Sequence, residues 1–144
     1  MAEGQNFKNH GRVVPVYHIG VFFSFVANFF WAIYRLTQGV SGETVMGLIL
    51  SVALLLMFFS VRAQILRVQD RVIRLEMRLR LASVLPADLR AQIAALTVPQ
   101  LIALRFASDA ELPSLVRDVA AGKFATPKEI KLQVKEWQAD YQRA

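Results

Sequence analysis

The pattern of apolar and polar positions divides the chain into an oily first part and a charged second part. Residues 13–34 and 44–61 carry no formal charge and are largely apolar. An α-helix needs about 20 such residues to cross the hydrocarbon of a bilayer, and runs of about 18 or more are typical of spans. The pattern therefore predicts two transmembrane helices. A water-soluble hairpin buried in a protein core is the alternative.

The connection between the two runs has the composition of a tight turn. It contains Gly39, Ser41 and Gly42, which favour turns. Ser41 can cap the second helix, with Glu43 in its first turn. We therefore expect an antiparallel hairpin. A cleavable signal peptide is the alternative for the first run, but that run is longer than the apolar part of a signal peptide and no small-residue cleavage site follows it.

The positions of lysine and arginine predict the orientation of this hairpin. Arg35 is the only basic residue of the connection, and Lys8 and Arg12 precede the first span. Six arginines follow the second span: Arg62, Arg67, Arg71, Arg74, Arg78 and Arg80. Segments rich in Lys and Arg stay in the cytoplasm. Both termini are therefore expected to be cytoplasmic.

Small and polar residues within the spans predict where the two helices meet. Ser24 and Asn28 are four residues apart, as are Gly47 and Ser51, so each pair shares a helix face. Small residues at this spacing let helix backbones approach closely. Asn28 is expected to face Ser51 or Gly47 and to form a hydrogen bond across the pair. A dimer through one of these faces is the alternative, and a transport pathway is disfavoured because neither span is charged.

The second span is expected to continue without interruption as a cytoplasmic helix up to Pro86, whose ring disfavours helix in the preceding residue. Five apolar residues follow the span at alternating spacings of three and four: Ile65, Val68, Val72, Leu75 and Leu79. We call these residues the seam, because their spacing is typical of the a and d positions of a coiled coil. The seam is predicted to bind the chain's own C-terminal helices or another protein subunit, including a homo-oligomer.

A stripe of arginines borders the seam at positions 67, 71, 74 and 78. Arg62 and Arg67 are close enough to the membrane to contact lipid headgroups, an interaction worth about 1 kcal/mol per residue with anionic lipid. The later arginines are expected to face solvent, to pair with Asp70 and Glu76, or to bind a partner. Nucleic acid is not expected as a partner, because no stacking aromatic residues interleave with the stripe.

The C-terminal part contains three capping-box patterns, beginning at Thr97, Ser108 and Thr126. In this motif a hydroxyl side chain and a Glu or Gln three residues later satisfy free amides at a helix start. Gly122 fits the position that closes the helix begun at Ser108. The patterns predict a small bundle of about four short helices, near residues 87–96, 99–107, 109–121 and 127–142.

The last predicted helix has one apolar face, formed by Ile130, Val134, Trp137 and Tyr141. A core built from so few residues is near the limit for independent stability. The small domain is therefore expected to use the seam, with Phe106 and Trp137 as the candidate contacts.

These elements define an all-α membrane protein with four parts. They are a cytoplasmic N-terminal segment at 1–15, a transmembrane hairpin at 16–61, a basic amphipathic helix at 62–85 and a small cytoplasmic helical domain at 86–144. The net charge of +6 follows from the cytoplasmic bias of the basic residues and does not call for an anionic macromolecule.

Residues with catalytic or metal-binding chemistry are scarce. The chain has no cysteine, and its two histidines are His10 and His18, which lie on either side of Pro15 and so form no i, i+4 pair on one helix. No cofactor is expected, and a haem- or metal-binding subunit that uses His18 is the least favoured alternative. No phosphate loop, HExxH motif or catalytic triad is recognisable. The chain is therefore not expected to be an enzyme.

Several long strings carry a resemblance to a known family: QNFKNHGRVVPVYH, LRVQDRVIRLEMRLRL, LPADLRAQI, LTVPQLIALRFASDAELPSLV and IKLQVKEWQADYQRA. They resemble an uncharacterised family of small bacterial two-span membrane proteins, a domain of unknown function. The resemblance covers nearly the whole chain. It implies a bacterial cytoplasmic (inner) membrane and the same two-span layout, and it supplies no activity, cofactor or partner.

The residues favour a non-enzymatic integral membrane protein. Such a protein would anchor a small cytoplasmic helical interaction module, or act as an accessory subunit of a membrane complex. A protein that organises anionic lipids through its basic stripe is the alternative. The two differ in whether the arginines or the apolar seam make the decisive contact.

Overall fold

The computed structural model describes residues 6–7 and 14–140, and in this part of the chain it contains helices and connections but no strand. The all-helical fold class is confirmed. A π-helical turn, Val16–Val21, leads into the first α-helix. The α-helices are α1 Phe22–Gln38, α2 Gly42–Val84, α3 Ala87–Arg90, α4 Val98–Leu104, α5 Leu112–Ala120 and α6 Pro127–Gln133, with a 3₁₀ turn at Ala91–Ala95 after α3.

The described residues form two compact units: residues 14–66 form the first, and residues 67–140 together with residues 6–7 form the second. The first unit contains the π-helical turn, α1 and the first part of α2. Its two helices are both long and apolar enough to cross a membrane. The predicted apolar runs therefore correspond to helices, as expected.

The start of α2 has the predicted cap. The Thr44 amide donates to the Ser41 hydroxyl at 3.2 Å, and the Ser41 amide donates to the Thr44 hydroxyl at 2.9 Å. Because helix N-termini leave amides without intrahelical partners, this reciprocal pair fixes where the helix begins. Gly39, which follows α1, has an extended backbone with φ of 168°.

Aromatic packing joins the helices of the first unit. The Tyr17 ring stacks on Phe58 with a centroid separation of 4.4 Å, and its hydroxyl donates to the Phe58 carbonyl at 2.7 Å. Phe22 and Phe25 also contact the Phe58 ring. The turn that leads into α1 thus lies against residue 58 of α2.

The second unit has a continuous apolar core, which covers one face of α2. That face consists of Ile73, Met77, Leu81 and Leu85. Since residues four apart lie on one side of a helix, these four side chains form a single ridge. The other core residues come from the short helices and their connections: Leu89, Leu96, Leu101, Ala103, Leu104, Ala107, Leu112, Leu115, Val116, Val119, Ile130 and Val134.

Two of the three predicted capping boxes form. The Thr97 amide donates to the Gln100 side chain at 2.8 Å at the start of α4. At the start of α6 the Glu129 amide donates to the Thr126 hydroxyl at 3.3 Å. In return, Glu129 accepts from the Ala125 amide and the Thr126 hydroxyl, and these bonds hold the pKa of the Glu129 carboxyl below its ordinary value.

The predicted helix end at Gly122 is also confirmed. Gly122 has φ of +71°, its amide donates to the Val119 carbonyl, and the Lys123 amide donates to the Asp118 carbonyl. This pair of bonds is the Schellman arrangement that closes a helix through a left-handed glycine.

The prediction of a third capping box, at Ser108, is wrong. The helix starts later, at Leu112, and the Glu111 carboxylate accepts from the amides of Lys135 and Glu136 at 3.1 and 3.2 Å. The Glu111 carboxylate therefore accepts from amides that are distant in sequence, whereas in a capping box it would accept from the Ser108 amide.

The last helix is shorter than predicted. It ends at Gln133, because Val134 has an extended backbone with ψ of 118°. The next amides find partners elsewhere in the unit: two reach the Glu111 carboxylate, and the Gln138 amide donates to the Phe106 carbonyl at 2.8 Å. Residues 134–140 therefore form a strap tied to residues 106 and 111, in place of the helical face that the periodicity predicted.

Candidate interaction surface

The seam is an exposed apolar surface. Within the second unit its residues Val68, Val72, Leu75 and Leu79 are 49% to 65% exposed. Ile65, on the preceding turn of α2, is also exposed. Apolar side chains that are this exposed and contiguous mark a candidate interaction surface.

The chain's own helices cover the opposite face of α2. At about 100° per residue, the ridge that includes Ile73, Met77 and Leu81 points away from the side that carries Val72 and Leu75. The expectation that the seam packs against the C-terminal helices is therefore wrong for this structure. The small domain packs on α2 residues that lie outside the a and d positions of the heptad pattern.

Arginines line a groove beside the seam. Its volume is about 460 Å³, and its lining among the described residues is Val68, Arg71, Val72, Arg74, Leu75 and Arg78. Arg67, Arg71 and Arg74 are exposed and Arg78 is half-buried. The groove therefore offers apolar contact and positive charge side by side.

Arg80 has a structural role that the sequence analysis did not predict. Its guanidinium donates to the Asp109 carboxylate at 2.7 Å, to the Arg105 carbonyl at 3.1 Å and to the Ala107 carbonyl at 2.7 Å. The two carbonyls lie just after α4, where backbone acceptors lack helical partners. Arg80 thus fixes the end of α4 against α2, and it differs in role from the arginines of the stripe.

The predicted contact residues Phe106 and Trp137 pack on each other. Their ring centroids are 4.7 Å apart, and Phe106 is fully buried. The Arg105 guanidinium lies 4.5 Å from the Phe106 centroid and 3.3 Å from the Asp140 carboxylate. Ile130 and Val134, the other described members of the predicted C-terminal face, are buried, and Tyr141 lies outside the described residues.

The predicted interhelical residues of the spans are partly brought together. Asn28 and Gly47 line one groove of about 230 Å³. Ser51 is fully buried, and its hydroxyl donates to the Leu48 carbonyl of its own helix at 2.8 Å. The hydroxyl of Ser24, which is exposed, donates likewise to the Gly20 carbonyl. A hydrogen bond from Asn28 across the pair stays a prediction.

Sequence reasoning missed the main polar link in the first unit. Tyr17 lies near one end of an apolar run, where aromatic residues of membrane spans are common, and its hydroxyl donates to the Phe58 carbonyl. The signal was available, because residues 17 and 58 lie at matching ends of an antiparallel pair. The rule of small residues favoured Gly47 and Ser51 and gave no weight to a large aromatic contact.

The remaining candidate residues form no metal site in the described part of the chain. His18 Nδ1 lies 3.1 Å from the backbone nitrogen of Val14, and His10 lies outside the described residues. Across residues 6–7 and 14–140, no group of three His, Cys, Asp or Glu side chains could hold a metal ion. Arg62 is half-buried and Arg67 exposed, and a headgroup contact of either residue stays a prediction.

The structure thus defines an all-helical protein with two helices that could span a membrane and a small helical core. The chain belongs to the family of unknown function DUF6526, whose model matches residues 1–144. Its expected resemblance to an uncharacterised family is confirmed. No curated protein and no solved structure matches the chain.

Proposed function

We propose that this chain is a non-enzymatic integral membrane protein that holds a small helical domain at the cytoplasmic face of a bacterial inner membrane. The two apolar helices cross the bilayer as a hairpin. The seam on α2 is the surface through which the domain binds another protein chain, as an accessory subunit of a membrane complex.

The observation that carries this proposal is the exposure of the apolar helices. Only 6% and 11% of their most apolar windows is buried by the rest of the chain. The core helix of a water-soluble protein would be mostly buried, because exposed apolar surface costs roughly 25 cal/mol per Å² in water. Large side chains such as Phe30, Leu56 and Phe59 are more than half exposed, which suits hydrocarbon as the solvent.

The distribution of basic residues supports the orientation. Arg35 is the only Lys or Arg between the two apolar runs, whereas Lys8 and Arg12 precede the first and Arg62 follows the second. Loops with few basic residues are the ones translocated. The small domain and the N-terminus are therefore placed on the cytoplasmic side.

The contacts within the first unit support the hairpin. Tyr17, near the start of the first span, lies against Phe58, near the end of the second. At the other end, Trp31 and Arg35 line the same groove as Glu43 and Thr44. Contacts at both ends support an antiparallel pair of helices.

Membrane fractionation and paired topology reporters test the proposal. The full-length protein should resist extraction by alkaline carbonate and dissolve only with detergent. A cytoplasm-active reporter such as green fluorescent protein should work after Ala144, and alkaline phosphatase should work only when inserted between Gly39 and Gly42. Release by carbonate without detergent, or the reverse pattern of reporter activity, would contradict it.

An anionic-lipid-organising role is the second candidate, favoured by the exposed guanidinium group of Arg67. Under that role, Arg62→Glu combined with Arg67→Glu should remove any preference for vesicles containing phosphatidylglycerol. Under protein binding, partner capture at the seam should persist in this variant. A matched double variant, Arg117→Glu with Lys128→Glu, at exposed positions of α5 and α6, controls for the same change in net charge.

A further inference from the structure

We propose that the partner of the seam is a second copy of this chain, and that two α2 helices pair there as a short parallel coiled coil in register. This inference rests on the proposed function, since it names the partner of the seam and uses the membrane to set the direction of the two helices. It is carried by the heptad positions, by the face that stays open, and by one complementary pair of charges.

The heptad positions favour two parallel strands. Ile65, Val72 and Leu79 occupy a positions, and Val68 and Leu75 occupy d positions. A β-branched residue at a with leucine at d, as at Val72 and Leu75, is typical of parallel dimers. Ile65, Val72 and Leu75 follow this rule, whereas Val68 and Leu79 are ordinary apolar residues of the seam.

The folded domain leaves this interface open. The side chains of α2 that enter the domain core are Ile73, Met77 and Leu81, which occupy the b, f and c positions. These positions lie on the side of a helix that faces away from the a and d residues. A second helix can therefore approach the seam without displacing the chain's own core.

Charges beside the seam are complementary between copies. Arg71 occupies a g position and Glu76 the e position of the following heptad, and in a parallel dimer these two positions approach each other across the interface. Both side chains are exposed. Within the part of the chain that the structure describes, neither forms an ion pair or a side-chain hydrogen bond. A symmetric dimer would pair Arg71 with the partner's Glu76 twice.

The groove beside the seam could hold the ion pair between Arg71 and the Glu76 of a second copy. Arg71 lines it together with Val72 and Leu75, so the partner's glutamate would meet a guanidinium next to apolar contacts. In an antiparallel pair, g positions face g positions, and Arg71 would approach the arginines of the other copy. Both the charges and the membrane orientation therefore select the parallel arrangement.

Membrane anchoring compensates for the short length of the seam. Two to three heptads are few for a coiled coil in solution. Two copies held in one bilayer meet at a high effective concentration and with their helix directions already aligned, which lowers the cost of association. The seam can thus pair in the membrane even where the isolated peptide would not.

Site-specific cross-linking tests the proposal directly, because the chain has no native cysteine. Leu75→Cys at a d position should form an intermolecular disulfide between identical chains in native membranes, under mild oxidation. Arg74→Cys, one residue away at a c position and also exposed, is the matched control. We expect at least about tenfold less cross-linked dimer for Arg74→Cys, since c positions of a parallel dimer lie far apart.

Charge exchange in the Leu75→Cys background separates pairing from other contacts. Arg71→Glu alone and Glu76→Arg alone should each raise the dissociation constant of the dimer about fivefold, as expected for losing two exposed ion pairs. The double exchange should restore the cross-linking yield. Anionic lipid bound to Arg71 would give no such rescue, so a double variant as weak as Arg71→Glu would overturn the charge pairing.

The mass of the cross-linked product separates failure of this inference from failure of the proposed function. A product of twice the chain mass supports the inference. A Leu75→Cys product containing a different protein, or equal yields for Leu75→Cys and Arg74→Cys, overturns it. Either result leaves the proposed function intact if the protein still resists carbonate. Extraction by carbonate would overturn the proposed function itself.

Discussion

The two units of this protein place their apolar side chains in opposite ways. In the first unit, Leu56 is 66% exposed and the spans bury few residues against each other. In the second unit, Leu81 and Leu101 are completely buried in a core of short helices. Both leucine environments occur on one helix, because α2 carries Leu56 as well as Leu81.

Under the proposed function, this difference means that the two units are stabilised in different solvents. Burial away from water is the main favourable contribution in the second unit. In the first unit the apolar surface faces outward, and under the proposed function it contacts lipid hydrocarbon, where burial against protein gains no hydrophobic free energy. Helices in such surroundings associate through packing and interhelical hydrogen bonds, as Tyr17 and Phe58 do here.

The largest predicted effect comes from truncating one leucine in each environment. Leu81→Ala should lower the free energy of unfolding of the second unit by about 2–5 kcal/mol, because it removes a buried side chain and leaves a cavity. Leu56→Ala and Leu79→Ala should change it by less than about 0.5 kcal/mol in nanodiscs that each hold one copy, because both side chains are exposed in the unpaired chain. Urea unfolding of the full chain in nanodiscs, followed by tryptophan fluorescence, measures the difference.

The fluorescence signal can be assigned to the second unit alone. The chain has two tryptophans, and Trp31→Phe leaves only Trp137, which packs on Phe106 in the core of that unit. All three leucine variants are measured in this background. If Leu79→Ala proved as destabilising as Leu81→Ala, the seam would belong to the core and the contrast between the two faces of α2 would be lost.

A smaller effect should distinguish two arginines of the same helix. Arg80→Met should lower the stability of the second unit by about 1–3 kcal/mol, since it leaves carbonyls after α4 and the Asp109 carboxylate without their donor. Arg74→Met should be nearly neutral, because Arg74 is exposed in the groove beside the seam. The same urea assay applies. Equal effects would show that Arg80 is merely one more member of the basic stripe.

The smallest predicted effect is on the pH dependence of stability, and it concerns the second unit. The Ala125 amide and the Thr126 hydroxyl lower the pKa of Glu129, so the folded state favours the carboxylate. This contribution is fully present above the ordinary carboxyl pKa of about 4.3 and is lost as the pH falls through the lower, folded value. Glu129→Gln should remove that part of the acid sensitivity.

The comparison is made between urea midpoints at neutral pH and at about pH 3. The drop in midpoint should be smaller for Glu129→Gln than for the parent chain. Glu136→Gln is the matched control, as Glu136 is an exposed acid of the same unit. An identical drop in parent and Glu129→Gln would show that the cap does not contribute to the pH dependence.

The parts of the fold that depend on local chemistry were predictable from the sequence. The apolar runs, the Ser41 cap, the boxes at Thr97 and Thr126 and the glycine at 122 each act within a few residues. The residues that form each of these contacts are therefore close together in the sequence. These local signals predicted the starts of α2, α4 and α6 and the end of α5 without any knowledge of the tertiary structure.

The parts that depend on distant partners were not predictable in this way. The heptad pattern singled out the seam, but the side chains of α2 in the domain core are Ile73, Met77 and Leu81, which repeat every four residues on the opposite face. The Ser108 box failed because Glu111 serves two amides more than 20 residues away. Which face of α2 is buried depends on where the short C-terminal helices pack, and the sequence pattern of α2 alone does not specify this.

The strap at residues 134–140 also has a consequence for the order in which the second unit assembles. Its amides reach acceptors on Glu111 and Phe106, which exist in place only after α4, α5 and α6 have come together. Such long-range closure is entropically late. We therefore expect the strap to lock last during folding and to open first, so that the amides of Lys135, Glu136 and Gln138 exchange with solvent deuterium well before those of α5.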